Sequence, residues 1–143
     1  MFTPSQNDVR TFFCAAWRKR CQNEPMDAME TLVSGWIQEH PEYHDRFTSL
    51  EAALAATQDA SDSAENPFLH IAMHLSISEQ CSIDQPRGIR EAVSSLTEQL
   101  GDLHQAHHTV MDCLGQMIWA SQRSGQPPDP HAYLDCVRRC ASR

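Results

Sequence analysis

Histidine is the residue type that stands out in this chain, with eight among 143 residues. Four of them form two HxxxH pairs, His70/His74 and His104/His108. On an α-helix a spacing of four separates two side chains by about 40° and ~6 Å along the axis, so both imidazoles leave from one face. A neutral imidazole offers a lone pair to borderline cations such as Zn²⁺, Fe²⁺, Ni²⁺ or Cu²⁺. Asp112 continues the ridge of His104 and His108 one turn later, where a carboxylate can bind a cation or accept from a ring N–H. Two such pairs on neighbouring core helices would put four imidazoles and a carboxylate around one point, which is how helical bundles build metal sites. The expected ligand set is therefore His70, His74, His104, His108 and Asp112. The expected cofactor is a transition metal, zinc or iron.

The remaining histidines divide differently. His40 precedes Pro41 at a helix end, where the helix dipole favours an imidazolium, so a structural role is expected. His44 follows four residues later and is an additional candidate ligand. His107 points about 100° away from His108 and is expected to be exposed, as is His131 near the start of the last helix. Cys81 shares the angular position of His70 and His74, but it lies three turns from His70. That is roughly 16 Å along the axis, too far for one site. Glu79, about 140° from His74, is a candidate only for a place behind the ligands.

Those residues need helices to carry them, and helix signals run from end to end. Ser5 is a candidate cap before the stripe Val9, Phe12, Phe13, Ala16 and Trp17. Pro25 suits the first turn of a second helix, which buries Met29, Leu32, Val33, Trp36 and Ile37 and stops at His40-Pro41. A third helix starts at Pro41 and runs through Phe47, Leu50 and Leu54. Residues 57–65, TQDASDSAE, read as a solvated polar loop. Asn66-Pro67 restarts the chain as a helix, with Asn as cap and Pro at the first position. The segment that follows, FLHIAMHLSIS, is apolar nearly all round and therefore central. Asp84-Gln85-Pro86 breaks it, and Ile89, Ala92, Val93, Leu96 and Leu100 form the next stripe, ended by Gly101. Asp102 caps the helix that carries Val110, Met111, Leu114, Met117, Ile118 and Trp119 to Gly125. After the PPDP turn, Tyr133, Leu134 and Val137 define a closing helix. No stretch alternates long enough to be a strand. The expected fold is an all-α single-domain bundle of about six or seven short helices, spanning residues 1–143.

Composition removes several function classes. Eleven Lys+Arg against nineteen Asp+Glu give a net charge of −8, which lacks the cation excess that a generic nucleic-acid binder needs. No run approaches the ~18 apolar residues of a membrane-spanning helix. The motifs GxxxxGK[ST], GxGxxG, HExxH and GxSxG are all absent, so the sequence names no reaction. Arg18-Lys19-Arg20 and Arg138-Arg139 read as solvated helix ends, and Trp17, Trp36 and Trp119 as core. In CSIDQPRGIR, Asp84, Gln85, Arg87 and Arg90 stand at a helix start, where turn chemistry and capping outweigh an anion site. The six cysteines contain no CxxC pair and mostly occupy apolar helical patterns. The N-terminal MFTPSQNDVR has neither the apolar stretch nor the cleavage site of a secretory signal. A cytoplasmic protein with reduced cysteines, packed as small hydrophobes, is the expectation.

Four segments together carry a family resemblance: FFCAAWRK at 12–19, HPEYH at 40–44, NPFLHIAMHLSISEQCSIDQPRGIR at 66–90 and MDCLGQMIWASQRSG at 111–125. With these the chain resembles, from Met1 to about Arg139, a group of short proteobacterial proteins catalogued as domain of unknown function 1841. The resemblance implies a helical, cytoplasmic bacterial protein and attaches no activity. Gln116 departs from the pattern, which has a glutamate there, so any role of that carboxylate is lost in this chain. The paired spacing is also similar to that of haemerythrin-like and DinB-like bundles, although the remaining ligands do not match in chain order. Two functions follow as expectations. One is a metal-binding helical protein using the two HxxxH pairs. The other is a non-enzymatic interaction module whose histidines are structural and whose partner is a protein or a second copy.

Overall fold

The computed structural model describes residues 6–51 and 66–142. The expectations for Ser5, Leu54 and the 57–65 loop lie outside these residues. The described chain is all-α, with seven α-helices and no strand among the described residues. They are α1 (Gln6–Cys21), α2 (Ala28–Gln38), α3 (His44–Thr48), α4 (Pro67–Ile83), α5 (Ile89–Leu100), α6 (Leu103–Ser124) and α7 (Pro130–Ala141). A single 3₁₀ turn, Pro41–Tyr43, precedes α3, where a helix continuous from Pro41 was expected. The contacts divide the chain into two compact units, Met1–Leu75 and Ser76–Arg143, with the division falling inside α4.

In the first unit, α1 packs on α2 and α3. The apolar stripe of α1 buries Phe13, Ala16 and Trp17 as its spacing predicts, with Val9 and Phe12 packed at the edge. Phe47 and Phe68 pack with ring centroids 4.6 Å apart and planes tilted by 53°, and the buried guanidinium of Arg10 lies 4.2 Å over the Phe68 ring. The second helix does not begin at Pro25. Asp27 caps it by accepting from the Glu30 amide, and the Glu30 carboxylate accepts from the Asp27 amide, a reciprocal box worth about 1 kcal/mol. Met29 and Leu32, expected inside, are exposed, while Val33, Trp36 and Ile37 are buried. The basic end of α1 is not free in solvent either. Lys19 pairs with Glu30 at 2.6 Å, and Arg20 donates to Ser34 and Gln38, so this cluster ties α1 to α2.

In the second unit, α5, α6 and α7 pack on one another. Ile89, Ala92, Val93 and Leu96 of α5 are buried, as are Val110, Met111 and Leu114 of α6 and Tyr133, Leu134 and Val137 of α7. Asp102 caps α6 as expected, and Asp129 of the PPDP turn caps α7 in the same way. Trp119, expected in the core, is 60% exposed beside Ile118. It lies on the outer face of α6, under the guanidinium of Arg123.

The segment between α4 and α5 is held by turn chemistry. Asp84 has a positive φ of 52°, and one of its carboxylate oxygens accepts from the amides of Gly88 and Arg90. Those bonds, that from Arg90 foremost, hold its pKa below the usual carboxylate value. Arg90 closes the end of α4 by donating to the Cys81 and Ser82 carbonyls. Gly88 adopts φ 102°, and a Cβ there would stand 2.6 Å from the Arg138 guanidinium. The guanidinium, at the end of a flexible side chain, could move aside, so it is the positive φ that favours glycine here.

The cysteines depart from expectation. Cys113 on α6 and Cys136 on α7 form a disulfide with Cα atoms 5.7 Å apart. Of the free thiols, Cys14 is buried, Cys21 exposed, and Cys81 and Cys140 half-buried.

Candidate metal centre

The site in the first unit begins with the restart of the chain at Asn66. Its side-chain oxygen accepts from the amides of Phe68 and Leu69, which fixes the first turn of α4. From that start the helical period directs Phe68 and Ile71 into the apolar core and turns His70 and His74 toward the end of α2. There α2 has just ended. The His40 amide donates to the Ile37 carbonyl, and Pro41 prevents the helix from continuing.

His40 is the centre of the arrangement. Its Nε2 lies 3.0 Å from Nε2 of His70 and 3.3 Å from Nε2 of His74. The three rings form a nearly equilateral propeller, with centroid separations of 4.8, 4.9 and 4.9 Å and mutual tilts of 58–81°. His40 and His74 are buried and His70 is half-buried. His40, expected to be structural at a helix end, stands beside the expected pair instead.

Each ring is held by a different contact. His40 Nδ1 lies 2.7 Å from the Trp36 carbonyl. A carbonyl only accepts, so Nδ1 carries the proton and Nε2 keeps its lone pair. The Trp36 indole stacks on His74 at 4.0 Å and 14°. The Tyr43 ring lies parallel to His40 at 5.3 Å and edge-on to His70 at 5.7 Å. His44, the other candidate of that segment, stays outside the group. Its Nε2 reaches the Ile37 carbonyl at 3.0 Å and its ring packs on Trp17.

These distances suit a cation. Zinc–imidazole bonds of about 2.0–2.1 Å arranged tetrahedrally separate neighbouring nitrogens by about 3.3 Å, and octahedral bonds of similar length by about 3.0 Å. The cluster can therefore hold a metal ion through neutral imidazole nitrogens, with no carboxylate in this trio.

In the second unit, His104 and His108 lie together on α6, with ring centroids 4.4 Å apart and an interplanar angle of 76°. Both are half-buried, and each offers a ring nitrogen within 4.8 Å of the other's. Asp112 is exposed and lines a groove with Cys113, Cys136 and Cys140, into which Gln116 also faces. Glu79 is exposed on α4. His107 corrects the expectation of exposure: it is 2% exposed. Burial, with smaller effects from His104 and His108, pushes its pKa down to about 4. His131 is exposed, as expected.

An all-helical protein with a three-histidine cluster is what fold and geometry define. The family described as a domain of unknown function, DUF1841, matches residues 5–139, and the chain belongs to that family. No curated protein and no solved structure matches the chain.

Proposed function

We propose that this protein binds a transition-metal ion, zinc or iron, through His40, His70 and His74. The observation that carries the reading is the convergence of three Nε2 atoms at 3.0 and 3.3 Å, with the tautomer of His40 set by the Trp36 carbonyl. Imidazole nitrogen is well suited to these cations. The spacing argument from the sequence adds His104, His108 and Asp112 to the proposed donors. Residence in the cytoplasm, without a nucleic-acid or membrane partner, belongs to the same reading. No helix among the described residues is long and apolar enough to cross a membrane.

Elemental analysis of protein purified without a polyhistidine tag tests the proposal, before and after reconstitution with Zn²⁺ or Fe²⁺. One equivalent per chain, lost in His40→Ala, is the expected result. Less than about a tenth of an equivalent after reconstitution, well under the occupancy of a site at saturating metal, would overturn it.

A second reading, a module that docks a protein partner or a second copy, is favoured by exposed Trp119 beside Ile118 on α6. Trp is enriched in the energetic centres of interfaces. Sedimentation velocity across a concentration series reads self-association directly, and an unchanged Trp119→Ala profile would remove this surface from it.

A further inference from the structure

The second unit contains a group of residues that the metal proposal does not use. Cys140 follows Cys136 by one turn of α7, and its thiol is free and half-buried. One sulfur from each of Cys113, Cys136 and Cys140 lies within 4.8 Å of the other two. A bonded pair and a thiol at that distance are the reactants of a thiol–disulfide exchange. The three cysteines line a groove of about 420 Å³ with Asp112, Gln116 and Arg139. The other half-buried or buried thiols lack this setting. Burial pushes the pKa of both Cys14 and Cys81 upward, which keeps them protonated.

We propose that Cys113, Cys136 and Cys140 form a thiol–disulfide exchange site, in which the bond to Cys113 moves between two partners one turn apart on α7. The Cys140 thiol gives its proton to solvent, and its thiolate attacks Cys113 Sγ. The Cys113–Cys140 bond forms as the Cys113–Cys136 bond breaks, and Cys136 leaves as a thiolate that takes up a proton. One disulfide is exchanged for another, so no external oxidant or reductant is needed. Chain entropy does not choose between the two isomers. The native bond spans 23 residues of sequence and the alternative would span 27, and loop-closure cost varies only with the logarithm of length. Both isomers tie α6 to α7, but only the second turns Cys136 out as a nucleophile. Cys136 also lines a second pocket with Met117, Ser121, Gln126 and Tyr133.

The chain is suited to a direct test, because Arg90, Arg123, Arg138 and Arg139 put the three cysteines on three tryptic peptides. These are residues 91–123, 124–138 and 140–143. The oxidised full-length protein is held at pH 8 without added thiol, alkylated rapidly with N-ethylmaleimide, digested at mildly acidic pH and read by mass spectrometry. The expected result is two cross-linked pairs sharing peptide 91–123. The minor pair should make up at least about a twentieth of the molecules, given near-equal loop costs. The alkylated fraction of Cys136 should match the fraction of the Cys113–Cys140 pair, and both should vanish in Cys140→Ser. A single 91–123/124–138 pair with Cys136 unlabelled overturns the proposal. So does Cys136 labelling that persists in Cys140→Ser, because that signal would come from an outside thiol.

Discussion

The same four-residue spacing of histidines occurs on α4 and on α6, and within its own unit each pair has different surroundings. His70 and His74 gain a third imidazole from the end of α2, and aromatic rings fix all three planes. His104 and His108 share a face of α6 with each other, and within their own unit their histidine neighbour is His107, buried and held neutral. Spacing on one helix settles only that two side chains are neighbours. What such a pair can bind depends also on which groups the fold brings to it, and on whether second nitrogens and ring planes are fixed.

The sharpest way to break this contrast is to remove the third imidazole. His40→Ala should weaken Zn²⁺ or Co²⁺ binding by about a thousandfold, roughly 4 kcal/mol, in competition with a chromophoric chelator. His104→Ala should cost nearer tenfold, and a loss equal to that of His40→Ala would erase the distinction between the pairs. Next in size is the packing behind α4. Ile71 is fully buried next to the aromatic core, and Ile71→Ala should lower unfolding free energy by about 3 kcal/mol in urea titration. Tyr43→Ala should leave the fold in place and weaken metal binding by about tenfold, because it removes a ring that orients His40 and His70 without removing a ligand.

The smallest effect concerns how α2 is anchored. Lys19, and then the Asp27 amide, hold the Glu30 carboxyl below its ordinary pKa of 4.5. The stability this contributes is complete above that value and is lost as pH falls through the lowered folded pKa. Glu30→Gln should remove that acid-side slope in thermal melts and leave the neutral-pH melt slightly lower.

Much of the scaffold was legible, because caps and stripes are local. Asn66-Pro67 and Asp102 start helices for reasons contained in a few residues, and both act as expected. The centre of the site was not local. His40 reads as a helix stop, and the neighbouring His44 has the same claim by spacing. What separates them is the direction in which the 3₁₀ turn at Pro41 releases each ring. His107 was missed because a rotation of 100° from His108 does not leave the buried face of a helix that packs on two others. The disulfide had a signal that went unused. Cys113 stands twelve residues before Gly125 and Cys136 eleven after it, so a helical hairpin about that turn brings them level. Trp119 lies on the same helix as the buried stripe, but one step round from it, which periodicity alone does not resolve.

Trp36 holds two of the three imidazoles at once, through its carbonyl to His40 and its indole against His74. An indole stacked on His74 would sense an ion if the cluster held one. Of the three tryptophans in the chain, Trp17 packs on His44 and Trp119 faces outward, which leaves Trp36 stacked against the cluster. With Trp17 and Trp119 replaced by phenylalanine, the protein would report the arrival of a paramagnetic ion by the dimming of its own fluorescence. Occupancy of the purified protein would then become an optical measurement, with no added dye.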